Sequence, residues 1–148
     1  MKILFKKTFI LTTALFFFTS NMVFAVEISF EAESSNMVIG QEFKVNVLLN
    51  TNKEKINAVE GVVLFPDGLL ELKEVKVANS VINFWIDPIR NCVSNRIKKL
   101  DEICFAGITP GGYVGGNGLL FSLIFLPKQT GDNVLKLMKA TVLLNNEL

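Results

Sequence analysis

The sequence predicts an all-β fold, an antiparallel β-sandwich with jelly-roll topology, on three observations. Apolar and polar residues alternate over several short segments, as in strands that face a core on one side and water on the other. No segment sustains the period of an amphipathic helix. The third observation is a corner: between Lys55 and Ser80, two segments of strand composition are separated by Pro66-Asp67-Gly68, whose residues suit a tight turn.

Residues 1–25 have the composition of a secretory signal peptide. Lysines precede the apolar run from Phe9 to Phe18, and the segment ends in Ala25, the kind of small residue that signal peptidase favours. The run is short for a bilayer core, which needs about 20 apolar residues, so cleavage is favoured over a retained membrane anchor. We therefore expect one mature domain at 26–148, without membrane insertion. It would be secreted to the medium or the cell surface, with the periplasm as the alternative.

Charge and composition exclude several classes of function. Without residues 1–25 the chain carries 12 basic and 14 acidic residues, a net charge of −2, so no basic excess remains to bind nucleic acid. Histidine is absent, which excludes Ser-His-Asp and Cys-His catalysis and most zinc sites.

The early strands are predicted by alternation alone. Every second residue is apolar from Val26 to Glu33, and the same period runs from Phe43 to Asn50 after a turn that contains Gly40. In the segment after the corner the alternation slips by one residue near Lys73-Glu74, which predicts a β-bulge.

The middle of the chain is predicted to contain one short strand and one surface excursion. Val81 to Ile86 is interpreted as a strand that ends at Asp87-Pro88, because proline cannot donate a hydrogen bond to a ladder. Asn91 to Glu102 is rich in charged residues and is interpreted as a solvated loop with, at most, a helical turn.

The last third is predicted to hold a buried central strand. Ile103 to Ile108 has strand composition, and the glycine-rich Thr109 to Gly118 is interpreted as a loop. Leu119 to Leu126 is apolar in both phases, as expected of a strand that is covered on both faces. Val134 to Leu144 is either one strand or two short ones broken near Lys139.

Eight apolar residues at inward positions form the predicted core: Phe30, Phe43, Val45, Val47, Phe65, Leu72, Phe121 and Phe125. Because the phenylalanines are used in this way, Trp85 and Tyr113 are the main rings left. They are too few for the flat aromatic platform on which sugar-binding modules stack sugar rings.

Cys92 and Cys104 are the only cysteines. In an exported protein, an even pair separated by a polar stretch most often forms a disulfide, and this is the prediction. A catalytic thiol is disfavoured, since there is no CxxC motif and Arg90 is the one basic residue near either cysteine that would activate it.

No segment has the pattern of a catalytic, metal or cofactor site. The glycine cluster leads into a strand, whereas a phosphate cradle leads into a helix. Carboxylate pairs such as Asp101-Glu102 lack the apolar surroundings that a glycosidase requires, and the turn aspartates lack the DxDxDG spacing of a calcium loop. The sequence therefore predicts no enzymatic activity, no metal and no cofactor.

Three stretches, taken in order, resemble the cohesin domain. Val26 to Leu49 matches the opening pair of strands of that domain. Ile56 to Val77 resembles its strand, corner and second strand, and the segment GLLFSLIFLPK at 118–128 resembles a strand that reads Gly, apolar, x, apolar, x, Phe. The resemblance covers nearly all of 26–148.

The chain departs from the cohesin pattern at three places. The corner that usually reads Tyr-Asp-Pro is Phe65-Pro66-Asp67 here, and the cysteine pair is not a general feature of the family. The sequence ends at Leu148, where cohesins add a final strand, so the domain is expected to be C-terminally truncated.

The resemblance implies a fold and a function. Cohesins are non-catalytic jelly-roll receptors that hold dockerin-bearing enzymes in cellulosomes, and they also occur in other bacterial and archaeal surface proteins. The implied function is attachment to a dockerin-like protein module, linked to polysaccharide degradation or surface assembly. The alternative is a carbohydrate-binding module of the same jelly-roll group, with a polysaccharide as its ligand.

The resemblance also implies a binding surface. In cohesins the partner lies across a sheet face that includes the strand corresponding to Ile56 to Phe65, and two of its polar contact positions fall at Ala58 and Glu60. If the alternate residues point inward, Val62 and Leu64 extend an apolar strip from Ala58 beside the carboxylate. Tyr113 would lie at its rim as a rigid contact residue. An equally weighted alternative is that loop 91–102 covers this face.

Overall fold

The computed structural model describes residues 25–34, 37–92, 100–131 and 135–145, which form eight β-strands and no helix. The strands are β1 (Glu27–Ala32), β2 (Phe43–Asn50), β3 (Ile56–Pro66), β4 (Leu70–Lys76), β5 (Phe84–Asn91), β6 (Leu100–Tyr113), β7 (Gly118–Pro127) and β8 (Lys136–Leu144). They build two four-stranded antiparallel sheets that pack as a sandwich. The predicted fold class is confirmed. None of the described residues belongs to a helix long and apolar enough to cross a membrane.

The first sheet has the strand order β1-β2-β7-β4 and the second sheet the order β5-β6-β3-β8. The predicted corner is where the chain passes from one sheet to the other, since β3 lies in the second sheet and β4 in the first. The N–H of Leu69 donates to the carbonyl of Pro66 at 3.1 Å, which closes the turn. The corner is confirmed as a change of sheet rather than a hairpin.

The core lies between the inner faces of the two sheets. Of the eight residues predicted for it, five are buried, namely Val45, Val47, Phe65, Phe121 and Phe125, while Phe30, Phe43 and Leu72 are partly buried and pack against it. The rings interlock across the sandwich, with centroids 5.2 Å apart for Phe65 and Phe125 and 5.1 Å apart for Phe105 and Phe121. Tilted pairs at these distances are favourable beyond the area they bury.

β7 is the central strand that the sequence predicts. It pairs with β2 on one side and β4 on the other, and eight of its ten residues are buried. Its one outward polar residue in the middle, Ser122, donates its hydroxyl to Oδ1 of Asn46 on β2 at 2.8 Å. The polar side chain of this buried strand therefore has the hydrogen-bond partner that burial requires.

Two predicted irregularities are present as β-bulges. The register between β4 and β7 shifts between Leu72 and Glu74, where the alternation slips. The register between β8 and β3 shifts opposite the segment from Met138 to Thr141, where Lys139 has a φ of 54°. β8 is therefore one strand with a bulge at the predicted break.

The prediction that a strand ends at Asp87-Pro88 is wrong, because β5 continues through Pro88 to Asn91. β5 is an edge strand, so its proline does not have to donate to a second neighbour. The ladder with β6 adapts by shifting register on either side of Asp87. The strand also begins at Phe84, later than predicted.

The prediction of a loop over Thr109 to Gly118 is wrong for most of that segment. β6 extends to Tyr113, which pairs with Ile56. The glycines form a bulge within the ladder, since Gly111 and Gly112 have φ values of 88° and 77° that other residues rarely adopt.

Both ends of the predicted loop over Asn91 to Glu102 belong to strands in the structure. Asn91 ends β5 and Leu100 begins β6, while residues 93–99 lie outside the described part of the chain. The predicted signal peptide also lies outside it, apart from Ala25.

Candidate docking face

The outer faces of the two sheets differ in character. The first sheet presents charged side chains that form exposed ion pairs, among them Lys44 with Glu33 at 3.0 Å and Lys73 with Glu71 at 3.0 Å. The outer face of the second sheet presents exposed apolar residues, Phe84, Ile86, Ile108 and Leu143, beside a smaller number of charged ones. We call this second face the docking face.

Cross-strand register arranges the docking face in rows. In the first row Phe84 of β5 stands opposite Ile108 of β6, which stands opposite Ala58 of β3, which stands opposite Leu143 of β8. Phe84 and Leu143 are 62% and 60% exposed, and Ile108 is 36% exposed. Four apolar residues from four strands therefore form one continuous row, in which three are exposed and Ala58 is half-buried.

The second row carries a carboxylate on either side of a small central residue. It contains Asp87, Ala106, Glu60 and Thr141, one from each strand in the same order. Asp87 and Glu60 are exposed and flank the small side chain of Ala106. Because neighbouring strands lie about 4.8 Å apart, the two carboxylate-bearing strands are separated by roughly 10 Å.

A shallow cleft of about 210 Å³ lies where these two rows meet. The small residues Ala58 and Ala106 form its floor, and the larger Ile86, Ile108 and Leu143 form its walls. Ile86 belongs to the bulge in β5 and is 64% exposed. The cleft has the shape and polarity to accept an apolar side chain from a partner.

The third row carries the disulfide. Arg90, Cys104, Val62 and Met138 stand in register, and Cys104 is bonded to Cys92 with the two Cα atoms 5.7 Å apart. This separation lies within the range that a disulfide requires. The predicted disulfide is thus present, at the side of the docking face away from the apolar row.

The predicted contact residues of β3 share this face. Val59, Val63 and Phe65 point into the core with exposures of 2%, 0% and 1%, as expected, which leaves the opposite phase facing outward. On that phase Glu60 is exposed, and Ala58 and Val62 are half-buried.

Leu64 lies in the fourth row, between Glu102 and Lys136, and is only 6% exposed. It therefore offers little area to a partner, although it shares the phase of Ala58. Beside it, Glu102 is 6% exposed, and its Oε1 atom has no hydrogen-bond partner among the described residues. The side chains of Leu64 and Glu102 at this end of the face are therefore buried, whereas most of the apolar first row at the other end is exposed.

Tyr113 is not brought together with these residues. It stands opposite Ile56, which is fully buried, and its half-buried side chain packs against the core. A Cβ atom on Gly118 would lie 2.6 Å from its ring, so the ring lies directly over the glycine backbone. The side chain is held at the end of the sandwich rather than at the rim of the docking face, because the glycines leave room for it there.

Sequence reasoning missed the residues that dominate the open end of the face. Phe84 and Ile86 flank Trp85, whose ring packs edge-on against Phe121 at 5.9 Å. Once Trp85 is assigned inward, the alternation places its two apolar neighbours outward. Ile108 and Leu143 carry no such local signal, since their positions depend on pairing with Ala58.

Two further clefts lie at the ends of the sandwich. One of about 290 Å³ is lined by Asn50, Asn52, Lys53 and the segment from Val114 to Gly116. The other, of about 340 Å³, includes Asp67 and Asp101, and the second of these accepts a hydrogen bond from Asn91 at 3.1 Å. Within the described ranges no group of three or more acidic or cysteine side chains could hold a metal ion.

Comparison with solved structures identifies the fold. CaCohA2 from Clostridium acetobutylicum is 19% identical, with a TM-score of 0.55, and the match covers 83% of this chain and 80% of that one. A non-cellulosomal cohesin from Archaeoglobus fulgidus is 17% identical, with a TM-score of 0.54 over 78% of this chain and 77% of that one.

The sixth cohesin from scaffoldin B of Acetivibrio cellulolyticus, solved in complex with a Cel5 dockerin, is 16% identical, with a TM-score of 0.53 over 80% and 85% of the two chains. No family model and no curated protein matches the sequence. At these identities the likeness shows the fold alone, and the chain has the cohesin fold.

Proposed function

We propose that the chain is a secreted, non-catalytic binding module of the cohesin type, whose docking face holds a dockerin-like protein partner. The observation that carries the proposal is the apolar row in which the exposed Phe84, Ile108 and Leu143 surround the half-buried Ala58. A contiguous apolar patch of this kind commonly marks a protein contact. The partner class is supported by the Acetivibrio cellulolyticus cohesin of the same fold, which was solved with a dockerin.

The cleft supplies the anchor of the proposed contact. Its floor consists of two alanines, so a partner side chain can descend between Ile86, Ile108 and Leu143. Burial of large apolar side chains in a well-packed pocket at the centre of an interface typically provides most of its binding energy. Val62, another of the predicted contacts, extends the same surface toward the third row.

The second row adds charge selectivity to this anchor. A lysine or arginine of the partner that lies over Ala106 would face the carboxylates of both Asp87 and Glu60. Charges at the rim of an interface chiefly raise the association rate and exclude partners of the wrong sign. The favoured partner therefore presents an apolar side chain beside a basic one.

The carbohydrate-binding alternative finds less support on this surface. Among the aromatic residues that the structure describes, Phe84 alone is exposed, since Trp85 packs against Phe121 and Tyr113 lies over Gly118. A single phenyl ring does not form a platform for successive sugar rings. A link to polysaccharide degradation would then run through the enzyme that carries the partner module.

Export is part of the proposal and is supported by two features. The disulfide between Cys92 and Cys104 is typical of proteins that mature in an oxidising compartment. Residues 1–25 have the composition of a signal peptide.

Calorimetric titration of the purified protein tests the proposal, with a panel of dockerin-type modules in one series and soluble polysaccharides in the other. We expect saturable binding of at least one dockerin-type module and no heat from the polysaccharides. Ala58→Arg should abolish binding, because its side chain fills the floor of the cleft. Ser29→Arg introduces the same residue at an exposed position of the first sheet and should leave binding unchanged.

Charge-neutral variants test the second row separately. Glu60→Gln and Asp87→Asn should slow association and flatten its dependence on salt, while leaving the protein equally stable. Polysaccharide binding that Ala58→Arg abolishes would instead support the sugar-binding alternative. Dockerin binding that is indifferent to Ala58→Arg would show that the partner lies on another surface.

A further inference from the structure

The disulfide is built into the docking face. Cys104 stands in register with Val62 of β3 on one side and with Arg90 of β5 on the other. Its partner, Cys92, is the first residue after β5, and both cysteines are half-buried. The bond therefore fastens the end of the edge strand β5 to β6, and it is partly open to solvent.

The second half of β5 is held to its neighbours by the packing of Ile89 against the core, by the side-chain hydrogen bond from Asn91 to Asp101 at 3.1 Å, and by a thin ladder. Among the described strands it pairs only with β6, its register shifts on both sides of Asp87, and Pro88 has no N–H to donate. Beyond the proline, its ladder is limited to two pairs, those of Arg90 and Asn91, and to the N–H of Cys92, which donates to the carbonyl of Glu102 at 2.8 Å. The covalent bond lies at this thinly paired end.

The first half of β5 is held differently. Trp85 inserts into the core against Phe121, and the N–H of Asn83 donates to the carbonyl of Ile108 at 3.2 Å. Ile86 and Asp87 lie between this packed half and the disulfide-bonded half. The positions of Ile86 in the cleft wall and of the Asp87 carboxylate thus depend on the packing of Trp85 on one side and on the disulfide on the other.

We propose that the Cys92–Cys104 disulfide is a redox control on docking. The intact bond holds the Ile86 and Asp87 side of the cleft against β6, and its reduction releases the second half of β5 and weakens partner binding. The reductant is a dithiol, which transfers two electrons and two protons. The S–S bond breaks, two cysteine thiols form, and the dithiol closes to its own disulfide. The docking part of this inference rests on the proposed function.

Hydrogen exchange of the full chain, measured by mass spectrometry before and after reduction with dithiothreitol, tests the release directly. The N–H of Cys92 and its neighbours in 89–92 should exchange at least about tenfold faster after reduction, whereas the N–H of Asn83 should not change. The Cys92→Ser/Cys104→Ser double variant should behave like the reduced protein and should not respond to dithiothreitol. Unchanged exchange at 89–92 overturns the inference. Equal protection of 89–92 and of β2 and β7 after reduction also overturns it, because all of them would then exchange only when the whole fold opens.

Titration with the dockerin-type module that binds the oxidised protein tests the consequence. The reduced protein and the double variant should bind it roughly tenfold more weakly. Equal binding by both forms refutes the redox control and leaves the proposed function standing. Absence of binding by both forms refutes the proposed function and, with it, the control of docking.

Discussion

Phe121 and Phe84 are the same type of residue in opposite environments, so truncation of each to alanine separates stability from docking. Phe121 is fully buried on β7, with the ring of Phe105 at 5.1 Å and that of Trp85 edge-on at 5.9 Å. Phe84 is 62% exposed in the first row of the docking face, opposite Ile108.

The expected losses of stability differ by several kcal/mol. Phe121→Ala removes a ring from a closed core and should cost about 3–5 kcal/mol, which is a large part of the ~5–15 kcal/mol that stabilises a typical domain. Phe84→Ala gives up part of one cross-strand contact and should cost less than about 1 kcal/mol.

Urea denaturation followed by far-UV circular dichroism measures both losses of stability. The comparison requires that the free energy of unfolding fall with urea concentration at the same slope in each variant. Trp85 provides an independent fluorescence signal beside Phe121.

Titration of the folded Phe84→Ala variant with a dockerin-type module should show binding weakened about tenfold or more, because an exposed aromatic residue at an interface often contributes a large share of the affinity. A Phe84→Ala variant that unfolds as readily as Phe121→Ala would refute the assignment of inner and outer faces to β5. A stable variant with unaltered affinity would refute the position of the docking face.

The remaining predictions concern covalent and steric constraints. Reduction of the Cys92–Cys104 bond, or Cys→Ser at both positions, should lower the free energy of unfolding by up to about 3 kcal/mol, measured as a shift of the urea midpoint; an unshifted midpoint would contradict it. Gly107→Ala should cost about 1–3 kcal/mol, since its Cβ would lie 2.9 Å from the Trp85 ring. Gly68→Ala, where no atom lies within 4 Å of the added Cβ, is the matched control and should change stability by at most about 1 kcal/mol in either direction.

The predictions that succeeded rest on local chemistry. Pro66-Asp67-Gly68 specifies a turn within four residues, and the slip near Lys73-Glu74 is visible in the alternation of one strand. The apolar run from Leu119 to Leu126 indicates burial on both faces without reference to any other segment. In each case the physical cause and its sequence signal lie in the same few residues.

The predictions that failed required knowledge of neighbours. Proline interrupts a strand that is paired on both sides, whereas β5 lies at the edge of its sheet among the described strands. The glycines at 111 and 112 indicate a departure from regular backbone, but a loop and a bulge inside a longer strand use the same positive φ angles. The position of Tyr113 followed from that bulge, since the extra residues turn its ring toward Gly118.

The docking face itself is a property of register rather than of any segment. Phe84, Ile108, Ala58 and Leu143 come from four separate strands, and their row exists because each pairs with the next. Such a row is a liability on a sheet that ends, among the described strands, at β5 and β8, because exposed apolar area beside edge strands favours aggregation. The exposed carboxylates Asp87 and Glu60 lie in the adjacent row, where they repel a second copy of the same face and attract a basic partner. Because the same two side chains that discourage self-association favour one class of partner, the arrangement fits a surface that is covered by another protein.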